Sequence, residues 1–272
     1  MIVIYGSNGF VGKHITMSLT NNQKHYLCSK TRIYEYSLIK EELKLYNAKT
    51  VICAAGFSTP TNIDYYESKK SDLLLTNTVG VLVLAKVCEE LNIHMVVIMS
   101  GCIFSGDQVY NDKSTPDFTG SYYSKNRVET ESLLSAFNNV CIVRIRMPID
   151  YFHPKSLITK LLNFSSVTNI SNSVTILEDC MPKIIDIVNL NMCGTVNLVN
   201  EGSVTNAMIV WLYKKFINPK KSISLTKPEL IKGAPRSNCV IRPSSQFGKI
   251  PDARSRLTEI FKDMKRTVDT YC

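Results

Sequence analysis

Short apolar runs alternate with amphipathic stretches along the first half of the chain. "MIVIY" (Met1–Tyr5), "HYLC", "TVICAAG", "HMVVIMS" and "VCIVRIRMP" each read as a buried strand. Between the first two, Val11, Ile15 and Leu19 recur at helical spacing. "SDLLLTNTVGVLVLAKVCEEL" predicts a long helix, and "GSYYSKNRVE" (Gly120–Glu129) opens another that runs to about Phe137. Strands alternating with helices in this order predict an α/β fold with a doubly wound parallel sheet. After about residue 148 the pattern loosens. Helices are expected near Lys155–Asn163, Met181–Asn191, Thr205–Phe216 and Arg254–Lys265, among short strands such as "TVNLVN". The expected division is residues 1–148 as one domain and 149–272 as a smaller lobe over a cleft, in a single compact chain.

The first strand leads into Gly6, Gly9 and Gly12 and then directly into a helix. In that context the triplet predicts a Rossmann-type dinucleotide site. Gly6 allows the tight turn, Gly9 the approach of a pyrophosphate, and Gly12 close packing of helix on strand. Residues Gly6, Ser7, Asn8, Gly9, Phe10, Val11 and Gly12 would then cradle the phosphates, helped by the free N–H groups of the helix N-terminus. After the second strand comes "SKTR". An NAD site usually has an acid there for the ribose 2′-hydroxyl. Lys30 and Arg32 instead suit a 2′-phosphate, which favours NADPH. Ala54, Ala55 and Gly56, at the end of the third strand, are small enough for the cofactor to lie across them.

Composition narrows the picture further. With 272 residues, 44% of them hydrophobic, the chain can bury a substantial core. No uninterrupted apolar run approaches the roughly 20 residues of a membrane span, so no membrane partner is expected. The sequence starts directly with a strand, which leaves no signal peptide to expect. Nine cysteines lie singly, without metal or disulfide spacing, as in a reducing cytoplasmic compartment. The formal net charge of +9 is spread along the chain with no basic run longer than two. That argues against nucleic acid and for a small anionic ligand. His14, His25, His94 and His153 fit no catalytic or metal arrangement and are expected to be structural.

The tyrosine cluster offers two pairings. Residues four apart share a helix face, so Tyr123 goes with Arg127; Tyr122 with Lys125, three apart, is equally allowed. Geometry alone leaves both open. The glycine triplet, the strand ending "MSGCIF" and the Tyr-x-x-x-cation pattern resemble the extended short-chain dehydrogenase/reductase family. That resemblance makes Ser100 the catalytic hydroxyl and Tyr123 the acid, and it puts Arg127 where the family has lysine. Arg127 supplies charge and donors but does not readily give up a proton. Asn77, in "LLLTNTVG", matches a family position that orders the backbone of the site.

A closer resemblance runs through "AAGFSTPTNIDYYESKKSD", "SGCIFSGD", "FTGSYYSKNRVETESLL", "NNVCIVRIRMPI", "LITKLLNFSSV", "NSVTILEDCMP" and "APRSN". These segments look like the plant-type bifunctional UDP-4-keto-6-deoxyglucose 3,5-epimerase/4-reductases, of which similar proteins occur in giant viruses. The resemblance implies UDP-4-keto-6-deoxyglucose as substrate, UDP-L-rhamnose as product, and a homodimer. It makes Cys102 and Lys160 the acid/base pair for epimerisation. Arg236, Arg144 and Arg146 are candidates for the nucleotide phosphates or for structural ion pairs, with Arg236 the first choice for the phosphates. Cys102 follows Ser100 by two, so both would face one site if the strand continued. The rival readings are a reductase without epimerase activity and an NADP-binding regulatory subunit without turnover, the latter suggested by Arg127.

Overall fold

A computed structural model describes residues 1–57, 63–106, 108–151, 153–230 and 238–271. Six parallel strands form the central sheet: β1 (Ile2–Tyr5), β2 (Tyr26–Ser29), β3 (Thr50–Cys53), β4 (His94–Ser100), β5 (Val140–Ile145) and β6 (Gly194–Asn197). Their spatial order is β6-β5-β4-β3-β1-β2, the doubly wound arrangement that the alternation predicts. β6 comes from the "TVNLVN" segment, so residues beyond 148 complete this sheet as well as building the second lobe.

The period of two in each strand sorts the core into two layers. Ile2, Ile4, Ile52, Val96, Cys141 and Val143 face one side, where Ile15 and Leu19 of helix α1 (Phe10–Asn21) pack with Ile184 and Ile187. Val3, Tyr5, Val51, Cys53, Met95, Val97 and Ile142 face the other. There they meet Ile39 and Leu43 of α2 (Tyr36–Leu45) and Leu84, Ala85, Val87 and Cys88 of α3 (Lys70–Glu90).

α3 is the most apolar long helix among the described residues. Its 21 residues have a best-window mean hydropathy of 1.5, enough by length and composition to cross a membrane. Half of that window is buried inside the protein, however, because the helix covers the sheet. A π-helical turn, Leu75–Val79, interrupts it around the buried Asn77. α4 (Tyr122–Leu134) packs beside that turn, with Asn126 donating to Thr78 Oγ1 at 2.6 Å and the Thr78 and Thr130 hydroxyls 2.7 Å apart.

The second lobe has its own core of Ile149, Ile158, Leu161, Val174, Ile209, Leu212, Leu257, Ile260 and Phe261. These come largely from α5 (Leu157–Leu162), α6 (Asn206–Phe216) and α7 (Ala253–Tyr271). The segment expected as one helix, Met181–Asn191, is instead a 3₁₀ turn over Met181–Lys183 followed by a helix over Ile184–Asn189. Pro182 lacks the N–H a regular helix would use, and it sits in that first turn.

Candidate active site

A cleft of about 420 Å³ opens at the C-terminal ends of β1, β3, β4 and β5. Its walls bring together Gly9, Phe10 and Val11, Ala54 to Gly56, Ser100 and Cys102, Tyr123 and Arg127, and Lys160. Stretches as far apart in the sequence as Gly9 and Lys160 thus converge on one volume.

The glycine loop divides its labour as its chemistry requires. Gly6 has φ +83°, and a Cβ there would lie 2.4 Å from the Ala55 amide nitrogen. A Cβ on Gly12 would lie 2.1 Å from Gly6 O. Both are therefore packing glycines behind the wall, and neither Gly6 nor Gly12 lines the cleft. Gly9 does line it, and its nearest atom to an added Cβ is Gly6 O at 3.1 Å. Ser7 is buried and Asn8 exposed, both off the cleft wall. The cradle fits a dinucleotide's pyrophosphate: an open Gly9 above the N-terminus of a 12-residue helix.

Tyr123 owes its position to the start of α4. The Ser121 hydroxyl caps the helix by accepting the Ser124 N–H at 3.1 Å, and the Glu67 carboxylate accepts the Tyr122 N–H at 2.7 Å. The four-residue spacing then puts the Arg127 guanidinium over the Tyr123 ring, 5.3 Å from its centroid. Lys125 points away and sits 3.9 Å from Glu129 at the surface. Of the two pairings open in the sequence, the structure has Tyr123 with Arg127. Arg127 is buried, donates to the Met99 sulfur at 3.5 Å, and has an Nε without a hydrogen-bond partner.

Ser100 ends β4, so the strand alternation that would have aligned Cys102 with it does not apply. The chain turns instead, with the Cys102 N–H donating to Ser100 Oγ at 3.1 Å. The two side chains reach the same cleft through that turn rather than through strand alternation. Lys160 comes from the opposite lobe on α5, which is shorter than the predicted Lys155–Asn163. Its ammonium is held below the usual lysine range, first by burial and then by the nearby Lys155.

Other candidates separate. Asn77 stands behind the wall, fully buried, with Oδ1 accepting the Phe57 N–H at 2.7 Å and Nδ2 unpartnered. Lys30 and Arg32 are exposed and outside the cleft. The register pairs Ser29 with Tyr5, so the residues after Ser29 start level with the glycine loop. Glu42, which sequence reading passed over, holds this turn through Tyr5 at 2.7 Å and Ser29 at 2.8 Å. Arg144 is structural, in a buried ion pair with Glu131. Arg146 contacts Cys102 instead. Arg236 lies outside the described residues. Among the described residues no cluster suits a metal.

Three histidines are tied to neighbours, and His25 is exposed. His14 Nε2 is 3.1 Å from Asp150, His94 Nε2 is 2.8 Å from Met192 O, and His153 stacks on Phe10 at 4.3 Å. Phe57 and Tyr66 also line the cleft, and no sequence signal marks them.

The family model for the RmlD substrate binding domain matches residues 1–179. A bifunctional dTDP-4-dehydrorhamnose 3,5-epimerase/dTDP-4-dehydrorhamnose reductase from Arabidopsis thaliana is 31% identical, over 96% of this chain and 91% of that protein. The crystal structure of the L780 UDP-rhamnose synthase from Acanthamoeba polyphaga mimivirus superposes with a TM-score of 0.90 at 29% identity, covering 97% of this chain and 99% of that one. A dTDP-4-dehydrorhamnose reductase from Bacillus anthracis in complex with NADP shares the fold, with a TM-score of 0.84 at 18% identity over 97% and 99% of the two chains. The chain also matches trifunctional Arabidopsis thaliana proteins and spans about two fifths of their length, 41% in one case.

Proposed function

Because the chain belongs to the family of the RmlD substrate binding domain, we propose that it is an NADPH-dependent 3,5-epimerase/4-reductase converting UDP-4-keto-6-deoxyglucose to UDP-L-rhamnose. One observation carries this reading. Cys102 and Lys160, from opposite lobes, line the same cleft as Ser100, Tyr123 and Arg127. One sugar ring in that volume has an acid/base pair and a reductase set within a single site. The Arabidopsis relative supports both halves, and the mimivirus structure supports UDP as the nucleotide.

The 4-keto group acidifies the hydrogens at C3 and C5. Cys102 takes the proton from carbon, the electron pair moves into the enolate, and Lys160 returns a proton to the other face, which inverts the centre. Gly9, the N-terminus of α1 and Ala54–Gly56 would hold the dinucleotide, with Lys30 and Arg32 at its 2′-phosphate. When bound, NADPH supplies the hydride that reduces C4. Ser100 orients the ketone oxygen and Tyr123 gives it a proton, while Arg127 holds the Tyr123 ring and would offer its donors to the cofactor's ribose.

A homodimer is part of the proposal, supported by the exposed apolar side chains Leu74, Leu75 and Val79 on α3. The free thiols of the described cysteines support a cytoplasmic site. The test is NMR of the product from UDP-4-keto-6-deoxyglucose and NADPH in D2O. UDP-L-rhamnose deuterated at C3 and C5 is expected. Reduction without deuterium would reduce the protein to a reductase, and cofactor binding without reaction would favour a regulatory subunit.

A further inference from the structure

Arg144 lies near the end of β5 and Arg146 just beyond it, and the structure treats them differently. Arg144 and Arg146 are both buried, at 2% and 7% exposure. Arg144 faces the Glu131 carboxylate. Arg146 has no carboxylate within ion-pair distance among the described residues; its guanidinium donates to Gly101 O at 3.4 Å, to the Cys102 sulfur and to Asn172 Oδ1.

The sheet register explains this placement. β4 and β5 run parallel with Ser100 beside Ile145, and the Gly101 N–H donates to Ile145 O at 2.8 Å. The next residue on each chain is then brought together, so Arg146 meets the turn that carries Cys102. Asn172, from the second lobe, fixes the other end of the guanidinium.

A guanidinium remains protonated in proteins and has donors but no acceptor. Burying one without a countercharge is costly, so a neighbour has to supply negative charge. Of its three partners only the Cys102 sulfur can carry one. We propose that Arg146 is a positioning residue that holds Cys102 as the thiolate, the form that takes the proton from the sugar carbon. The inference rests on the epimerase reading of this cleft. In the step the C–H bond breaks, an S–H bond forms and the electron pair passes to the enolate oxygen. The negative charge therefore moves from sulfur to substrate and stays inside the cleft. Lys160 then gives its proton to the opposite face and becomes the neutral amine.

The other groups around Cys102 leave this role to Arg146. Cys239 donates its thiol hydrogen to Gly101 O at 3.4 Å. Burial pushes the Cys239 thiol up to about 11, with the Arg146 charge opposing. Asp117 is a further charge near Cys239. Tyr123 and Arg127 face the cleft from α4, Lys160 from α5 and Lys155 from the segment before it. Of these cations, Arg146 alone donates to the Cys102 sulfur among the described residues.

The test is the pH dependence of iodoacetamide alkylation, read peptide by peptide by mass spectrometry on the full chain. The exposed Cys28 is the internal standard. A thiol held as thiolate by a cation is alkylated at lower pH than a free one, so the Cys102 curve is expected on the acid side of the Cys28 curve. Arg146→Gln should close the gap, and Arg146→Lys should retain most of it. The acid limb of C5 deuterium exchange should move with the same midpoint. Equal midpoints for Cys102 and Cys28 in the unmutated chain overturn the proposal, with no dependence on how any variant folds. So does an unchanged gap in a folded Arg146→Gln chain. Alkylation does not need turnover. A chain that shows the gap yet exchanges no deuterium therefore defeats the proposed epimerase function and leaves the Arg146–Cys102 pairing standing.

Discussion

Tyr66 lies face to face on Tyr123, with ring centroids 5.2 Å apart and planes 17° from parallel. Arg127 covers the Tyr123 ring as well, so the phenol is held by an aromatic ring and a cation. Tyr66 is itself anchored, its hydroxyl donating to Phe57 O at 3.0 Å, and the Phe57 N–H reaches Asn77 at 2.7 Å. Tyr123→Phe should lower the rate of ketone reduction by about 10²- to 10⁴-fold, the usual worth of a positioned acid. Tyr66→Leu should lower it by only about two- to tenfold, the worth of a ring stack. Steady-state NADPH consumption measures both, and a Tyr123→Phe chain with unchanged reduction would remove Tyr123 from the mechanism.

In the proposed mechanism Arg127 works through charge and reach, not proton transfer. It is buried against Met99 and Tyr123, and its Nε has no partner. Lysine keeps the positive charge and a donor, so Arg127→Lys should retain or improve reduction. Methionine keeps the bulk without the charge, so Arg127→Met should lose about 10²-fold or more. Equal rates for the two variants would show that the charge is not used.

These residues also show how far the sequence could be read. The alternation of Ile2 and Ile4 against Val3 and Tyr5 predicts the two faces of β1, because a strand's period needs only local sequence. The pairing of Tyr123 with Arg127 follows from helix spacing once resemblance has selected it. The stack of Tyr66 on Tyr123 spans 57 positions, and no periodicity links two residues on different elements. The same holds for Arg146 on Cys102, which depends on the register of β4 against β5. Composition likewise made Arg144 and Arg146 equivalent, and only the placement of Glu131 separates them.

Cofactor choice should depend on Lys30 and Arg32. Glu42 fixes the turn through Ser29 and Thr31, and both basic side chains remain exposed. Hydrogen bonds to a charged group contribute about 1.5–3 kcal/mol. Replacing either residue by serine should therefore raise KM for NADPH by roughly tenfold or more, with little change for NADH. A parallel rise for both cofactors would place the 2′-phosphate elsewhere.

Lys160 should carry a stability cost that betrays its working role. Burial and then Lys155 lower its pKa in the folded chain below that of a free lysine. Between the folded and unfolded pKa values the unfolded state binds more protons, so this group makes stability rise with pH. Below the folded pKa both states are protonated and the whole penalty is present. Lys160→Met should accordingly raise Tm at the acid end of the range, where the gap is largest. The gap should narrow as pH climbs through the folded pKa towards that of a free lysine. The same variant should lose inversion at C5, because in the proposed mechanism the proton delivered to the opposite face comes from this amine. Calorimetry across that pH range, together with NMR of the C5 configuration, tests both halves. A variant less stable than the parent at every pH would show Lys160 to be a packing residue, with its burial no cost to the fold.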